Sequence, residues 1–201
     1  MIILDLGSGN SCRNDWPTAM EMIHAIASID THREEVVLKW QLFEKAEPNL
    51  PLERDIFSRA YTYAWGLGYD TTASVGDVLS LDFLLRFQIP FVKLACRPEL
   101  YHLADRVPDG IQVIKSVSSL DDFTPGCLCC VREYPADAKV YRKAFRDAQL
   151  KAGISDHTTD WYLYKKFSPE VYECHMVLEH SEKNPDGAAF ARTPTDLREI
   201  L

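Results

Sequence analysis

Eight short apolar runs in 201 residues, most of them separated by enough chain for a helix, constrain this sequence more than any other feature. The runs cover residues 2–6, 35–43, 69–75, 90–95, 112–116, 127–134, 152–158 and 171–175, and each has the length and composition of a strand. Between them lie segments with helical signals. Asn14 and Asp15 can cap a helix whose apolar stripe is Ala19, Met20, Met22, Ile23, Ile26 and Ile29. Further helices are expected over 52–67, closed by Gly68, and over 78–87, 98–105, 138–151 and 160–166, with a last one from Thr195. Alternating strands and helices imply parallel βαβ units, because a parallel crossover must return over the sheet. Eight such units favour closure into a barrel over an open doubly wound sheet, which shares the local pattern. The chain lies at the lower limit of roughly 200 residues for a (β/α)8 barrel. The expected fold is therefore α/β, a reduced (β/α)8 TIM barrel with shortened or missing helices, as one domain over 1–201. The connection 117–126 holds Ser118, Ser119, Asp121, Asp122, Pro125 and Gly126 and is expected to be a loop or a single turn. A crossover with its helix normally needs at least about 10–12 residues.

A 46% hydrophobic content is enough for one well-buried core. The formal net charge of −8 argues against nucleic acid, whose binding needs clustered Lys and Arg to displace counterions. The apolar start at residues 1–4 is cut off by Asp5 and Gly7, too early for a signal segment or a membrane span, so a cytoplasmic protein is expected. The six cysteines are then expected to be thiols. Cys127 and Cys130 form a C-x-x-C with no second pair after it, which reads as buried small hydrophobes before it reads as a zinc or redox motif.

Two of the runs carry a histidine at or next to their carboxyl end, His157 and His175. In a barrel the carboxyl ends of all strands converge on one face, so two imidazoles from consecutive strands make half of an open metal site. Polar residues recur at a spacing of two in Lys39 and Gln41, Arg132 and Tyr134, and Ser155 and His157, which puts each pair on one face of its strand. Ser74 and Lys93 lie at comparable points of the third and fourth strands. Buried lysines are rare without a function or a carboxylate partner. Lys39 and Lys93, with Arg132 nearby, suggest a positive pocket for an anionic ligand, and pairing to carboxylates inside the barrel is the alternative.

The segments Lys39-Trp40-Gln41, Ile89-Pro90-Phe91-Val92-Lys93, Tyr134-Pro135, Ser155-Asp156-His157-Thr158, Glu173-Cys174-His175 and Thr193-Pro194-Thr195-Asp196-Leu197 follow one another in the order and spacing of a known family. Together they resemble the barrel domain of the sialic acid (N-acetylneuraminate) synthases, from about Asp5 to Leu201. The resemblance implies a divalent metal, Mn2+ or Mg2+, held by His157 and His175. It implies phosphoenolpyruvate held by Lys39, Lys93, Ser116 and Ser155, with Ser74 in place of the family's threonine. Gln41 and Tyr134 would lie near the sugar and the bond being formed. The implied reaction is condensation of phosphoenolpyruvate with an amino-sugar aldose such as N-acetylmannosamine to give a nonulosonic acid and phosphate. A homodimer is compatible with the resemblance.

The departures fall in the sugar half. Asp5 stands where the family has a catalytic Glu, and one methylene less can displace a carboxylate by about 1 Å, an error that can cost on the order of a hundredfold in rate. Cys96 replaces a serine, Pro98 an acidic residue and Arg132 an asparagine, here counted with the substrate-binding residues. Asp186 is the counterpart of the aspartate in a Pro-Gly-Pro-Asp turn that is altered here, and the protein is expected to lack the family's C-terminal antifreeze-like domain. These changes keep a second reading open, a non-catalytic or divergent barrel that binds an anionic metabolite. A third is an S-adenosylmethionine-dependent methyltransferase, since residues 3–9 resemble the first glycine motif of that class.

Overall fold

The inward positions of the strands divide into an apolar floor and a polar layer above it. The computed structural model describes residues 1–45, 49–181 and 184–201. The strands are β1 (Ile2–Asp5), β2 (Val36–Leu42), β3 (Asp70–Val75), β4 (Phe91–Leu94), β5 (Gln112–Val117), β6 (Leu128–Cys130), β7 (Gly153–Asp156) and β8 (Val171–His175). They pair in parallel and in chain order, and β8 returns to β1. Closure leaves no sheet edge exposed. Ile3, Val37, Phe91, Ile114 and Leu128 pack with Val171 as a separate cluster, the floor. Two residues further along the same strands stand Asp5, Lys39, Lys93, Ser116, Cys130 and Glu173, because a pleated strand returns to the same face every second residue. Gly153 takes an inward place on β7 where a Cβ would lie 2.6 Å from Leu128 Cδ2.

The outward positions, Ile2, Leu4, Leu38, Trp40, Val92, Cys129, Ile154, Tyr172 and Cys174 among them, join the larger cluster under the helices. These helices are α1 (Gly9–Cys12), α2 (Trp16–Ala27), α3 (Arg54–Gly66), α4 (Val78–Leu84), α5 (Ala138–Ala144), α6 (Asp147–Ala152), α7 (Tyr162–Phe167) and α8 (Pro194–Leu197). Asp15 caps α2 by accepting from the Thr18 N–H at 2.9 Å, and α3 gives way to Gly68 in the left-handed region at φ 90°. Burying this layer supplies most of the stability, at about 25 cal/mol per Å² of apolar surface.

Several sequence expectations are corrected. The sixth strand ends at Cys130, well before Tyr134. Beyond it the backbone bonds to the next loop: the Val131 carbonyl accepts from the His157 ring at 2.8 Å, and the Ala136 N–H donates to the His157 carbonyl at 2.8 Å. The helix expected over 138–151 is two, broken where Phe145 adopts extended backbone (φ −130°, ψ 154°) and buries its ring in the helix layer. The segment Pro98–Arg106 is a 3-10 helix, and α1 is an unforeseen single turn. The connection from β5 to β6 contains turns and no helix, as its length implied. A closed barrel also overturns the methyltransferase reading, which needs an open sheet with a crevice at its switch point. Gly7, at φ 77°, instead turns the chain so that its N–H caps Asp5 at 2.9 Å. No helix among the described residues is long and apolar enough to cross a membrane.

Candidate active site

The carboxyl ends of the strands deliver Asp5, Lys39, Gln41, Ser74, Lys93, Ser116, Ser155, Glu173 and His175 to one cavity of about 140 Å3. His157, one residue past β7, and Tyr134, from the loop after β6, complete its wall with Cys96 and Cys130. A wider vestibule of about 700 Å3 shares Gln41, Ser74, Tyr134 and His175 with the cavity and adds Asp186, Phe190 and Arg97. Of the residues the sequence singled out, Arg132 alone lines neither space: β6 stops short of it and it is exposed. Asp186 stands at the vestibule, where its Oδ2 accepts from the Ser8 N–H at 2.9 Å and the Ser8 hydroxyl at 2.8 Å, tying the loop after β1 to the C-terminal segment.

The floor of the cavity is an ion-pair network. Lys39 Nζ donates to Asp5 Oδ2 at 2.6 Å and lies 3.7 Å from Glu173 Oε2. Gln41 donates to the same Asp5 oxygen at 3.0 Å. Lys93 Nζ donates to Ser116 Oγ at 2.7 Å and lies 3.5 Å from Glu173 Oε1, which also accepts from the Ser155 hydroxyl at 2.7 Å. All four charged side chains are at most 4% exposed. Taking charges out of water costs several kcal/mol per ion even after relaxation, so such a cluster is weak as a device for stability alone. Two lysines face two carboxylates, and the network is neutral before the histidines are counted. The lysines are thus paired to carboxylates inside the barrel, the alternative the sequence held open, and line the cavity as they do so.

The balance is uneven, and the proton affinities show where. Burial pushes the Asp5 carboxyl up, but the Lys39 and His175 charges and the Lys39 and Gly7 hydrogen bonds outweigh it and hold the group well below the usual range. Glu173 is lowered too, with burial outweighed by Lys39 and then Lys93. Lys39 is raised, since Asp5 and Glu173 overcome its burial. Lys93 is lowered, because burial exceeds what Glu173 returns and Lys39 repels it. Lys93 is therefore the under-compensated cation. Its neighbour Ser116 accepts from it, which leaves the serine hydroxyl hydrogen free to point at a ligand.

The two histidines stand with ring centroids 5.4 Å apart. A carbonyl can only accept, so the bond from His157 Nδ1 to the Val131 carbonyl fixes the proton there and leaves Nε2 with its lone pair. The Tyr141 hydroxyl accepts the His157 N–H at 3.1 Å and donates to the Ser155 carbonyl at 2.6 Å, pinning the end of β7. Tyr134 lies on the His157 ring with centroids 4.2 Å apart. Burial, and next the His175 charge, push His157 down to about 3, so the imidazole is neutral near pH 7. His175 Nδ1 is buried without a hydrogen bond, 3.6 Å from Asp5 Oδ2. Among the described residues no group of three or more His, Cys, Asp or Glu is arranged for a metal. The donors fit an open ion with two imidazole ligands and do not fit a closed structural site. The C-x-x-C motif does not converge: Cys127 packs under the helices and Cys130 faces the cavity.

Glu173, Cys96 and Cys130 line the cavity although the sequence reading, which named each of them, did not count them with the site residues. Glu173 shares its strand face with His175, and the spacing of two that selected Ser155 and His157 would have found it. In the sequence Cys130 reads with Cys127 as a buried small hydrophobe, and Cys96, two residues past β4, as a departure from the family pattern.

No protein-family model and no curated protein sequence matches the chain. Solved structures do. The N-acetylneuraminic acid (sialic acid) synthetase of Leptospira borgpetersenii serovar Hardjo-bovis, in complex with citrate, superposes with a TM-score of 0.78 at 19% identity, over 98% of this chain and 80% of that one. A putative spore coat polysaccharide biosynthesis protein E from Chromobacterium violaceum gives 0.74 at 15%, over 98% and 71%. A truncated 3-deoxy-D-arabino-heptulosonate 7-phosphate synthase from Thermotoga maritima gives 0.65 at 10%, over 99% and 82%. Over nearly its whole length, then, this chain folds as the barrel of the Leptospira sialic acid synthetase does.

Proposed function

We propose that the cavity binds phosphoenolpyruvate and that the barrel joins it to an aldose of the N-acetylmannosamine type held in the vestibule, releasing phosphate. This makes the protein a carbon–carbon bond-forming transferase. The observation that carries the reading is Lys93: a buried ammonium whose burial outweighs its single carboxylate neighbour, beside a serine hydroxyl with a hydrogen to give. An incoming phosphate or carboxylate supplies the missing charge, and a charge-assisted hydrogen bond is about twice as strong as a neutral one. The fold shared with the sialic acid synthetase, and the ordered motifs of the sequence, point to the same ligand.

In the reaction the enol carbon forms a bond to the aldehyde carbon, water adds to the adjoining cationic centre, and phosphate leaves. Lys93 and Ser116 hold the anion, and Lys39 is kept in place by Asp5. Asp5 accepts from Lys39, Gln41 and the Gly7 N–H, and with its acidity so strengthened it positions these groups and does not take up protons. Glu173 Oε2, 3.7 Å from the Lys39 ammonium, has no hydrogen bond and is a spare acceptor suited to a water or a sugar hydroxyl. His157 and His175 would hold a divalent cation, Mn2+ or Mg2+, which supplies Lewis-acid polarisation of the aldehyde oxygen. Tyr134 and Asp186 border the vestibule where the sugar would lie.

The test is phosphate release from phosphoenolpyruvate with Mn2+ and a panel of aldoses that includes N-acetylmannosamine. Release should depend on the aldose and vanish in Lys93→Ala. The saturation of Asp5, which replaces a glutamate of the resembling family, favours one second reading, a barrel that binds the anion without turnover. A thermal shift with phosphoenolpyruvate that Lys93→Ala abolishes, with no phosphate released for any aldose, would establish that reading instead.

A further inference from the structure

A metal-binding imidazole is normally aimed by a hydrogen bond from its other ring nitrogen. His157 has such a bond, to the Val131 carbonyl at 2.8 Å. His175 lacks one: its Nδ1 is buried without a hydrogen bond, and Asp5 Oδ2, at 3.6 Å, is out of reach and accepts from Lys39 and Gln41 instead. The His175 ring packs against Phe190. The two rings meet edge to face, with centroids 4.9 Å apart and planes at 87°. Phe190, only 2% exposed, also reaches Tyr134 at 5.2 Å and His157 at 5.9 Å, and it borders the vestibule.

The segment that carries Phe190 is tied down on both sides. Before it, Asp186 accepts from the Ser8 N–H and hydroxyl. After it, Arg192 joins the backbone beyond β8: its N–H donates to the His175 carbonyl at 2.7 Å, and its carbonyl accepts from the Val177 N–H at 3.0 Å. The Arg192 side chain, 3% exposed, donates to the Asp160 carbonyl at 2.6 Å and lies with its guanidinium carbon 4.5 Å from the centre of the Trp161 ring. Asp156 Oδ2 is 3.9 Å away and takes its hydrogen bond from the Tyr172 hydroxyl. Arg192 Nε is buried without a partner. A guanidinium so deeply buried and so incompletely bonded is a costly device if stability is its only role.

We propose that Phe190 is the positioning residue of His175, giving its ring by packing the orientation that a hydrogen bond gives His157, and that Arg192 acts through Phe190 by fixing the segment on which it stands. This role presupposes that His157 and His175 are ligands of one divalent cation, as proposed above. Edge contact with one imidazole and approach to the other leave the His175 ring one orientation, and the apolar ring keeps vestibule water off that side of the pair. Groups around a metal site that set ligand orientation and solvent access in this way contribute strongly to affinity. Arg192 touches neither imidazole with its side chain, so whatever it gives the pair passes through the segment it anchors.

The experiment measures the Kd for Mn2+ of the full-length chain from the electron paramagnetic resonance signal of the free ion. Phe190→Ala should raise it roughly 10- to 100-fold, the range seen when a supporting group of a metal ligand is removed. Phe190→Leu, which refills most of the volume, should recover most of the loss. Arg192→Met should weaken binding as Phe190→Ala does, and the double variant should bind no worse than Phe190→Ala alone, because the two residues act in series. Should Arg192→Met fail to fold, Arg192→Lys, which loses the planar fork, takes its place. Phe145→Ala, which removes a buried ring of the helix layer, should lower Tm and leave the Mn2+ affinity at its native value. Equal weakening in Phe145→Ala would reduce the effect of Phe190 to general loosening, and additive losses in the double variant would overturn the route through Phe190. A readout without metal accompanies these: in aromatic carbon–proton spectra of the metal-free chain His175 should give one sharp ring signal, and in Phe190→Ala a doubled or exchange-broadened one, with His157 unchanged. An unaltered His175 signal in Phe190→Ala would refute the positioning role. A native chain that binds no Mn2+ would refute the metal reading, while the ring spectra would still decide what Phe190 does.

Discussion

Replacing Glu173 by Gln keeps the shape of the side chain and an acceptor for Ser155, and removes one of two negative charges from the floor of the cavity. At 3.5 Å from Lys93 and 3.7 Å from Lys39, the carboxylate gains about 5 kcal/mol of gross attraction from each at an effective dielectric constant near 20. Most of that offsets its own desolvation. The measurable quantity is the loss on breaking a buried network by removing one partner, about 3–5 kcal/mol. For 201 residues, an unfolding entropy of about 2.1 cal/mol/K per residue converts this to a Tm lowered by roughly 7–12 °C. The same change leaves two lysines facing Asp5 alone, so an anion brought to Lys93 recovers part of the loss. The rise in Tm with saturating phosphoenolpyruvate, or with inorganic phosphate, should therefore be larger in Glu173→Gln than in the native chain. Scanning calorimetry with and without ligand measures both. A Tm unchanged by the substitution would mean that Glu173 is not an ionised partner of the lysines. An equal or smaller ligand shift would mean that the anion binds away from Lys93.

Asp5→Asn tests the acid side. The native carboxylate is ionised at pH values where an unfolded aspartate, with its pKa near 3.9, is partly protonated. Its stabilisation is then fully present above about pH 5 and is lost as pH falls toward the lowered native value. The stability gap between native and Asp5→Asn protein, from urea melts, should close over that range, and a gap constant down to pH 2 would contradict the assignment. His157 has the opposite charge type with its affinity lowered to about 3, so the unfolded chain binds the proton first and stability should fall as pH drops from about 6.5 toward 3. His157→Ala should flatten that slope. Metal content after loading with Mn2+, measured by mass spectrometry, should fall below one-tenth of native in His157→Ala/His175→Ala. It should persist in Asp156→Ala, whose outward carboxylate accepts from the Tyr172 hydroxyl at 2.7 Å and serves the fold.

The barrel was legible because its information is local and repeated. A strand with one face on a filled interior and the other under helices must be apolar on both, and eight such runs with helical spacers leave few topologies. What could not be read was where local rules compete. Residues 127–134 carry strand-forming side chains throughout, yet the ladder stops at Cys130 because His157 claims the Val131 carbonyl and the Ala136 N–H. That claim comes from a segment more than twenty residues away in sequence. Phe145 breaks an otherwise periodic helix for the sake of a buried ring, which periodicity itself does not reveal.

For the site, what could be read was the identity of the inward residues, and what could not be read was their charge balance. Lys39 and Lys93 look alike in sequence, each two residues past a floor residue, Val37 and Phe91. The barrel separates them. Asp5 is the register partner of Lys39 on the adjacent strand and takes its ammonium outright, whereas the register partners of Lys93 are Ser74 on one side and Ile114 on the other. A carboxylate reaches Lys93 only from β8, at a longer distance and shared with Lys39. One lysine is thereby a fixed part of the scaffold and the other is left short of charge, a distinction set by which strands are neighbours. It follows that the two alanine variants should differ in kind. Lys39→Ala strands Asp5 and should lower Tm by the several degrees that a broken buried pair implies, while Lys93→Ala should lower the affinity for the anion more than it lowers stability. Equal losses of stability in the two, with equal loss of ligand response, would show that the network acts as one unit and that neither lysine is reserved for the ligand.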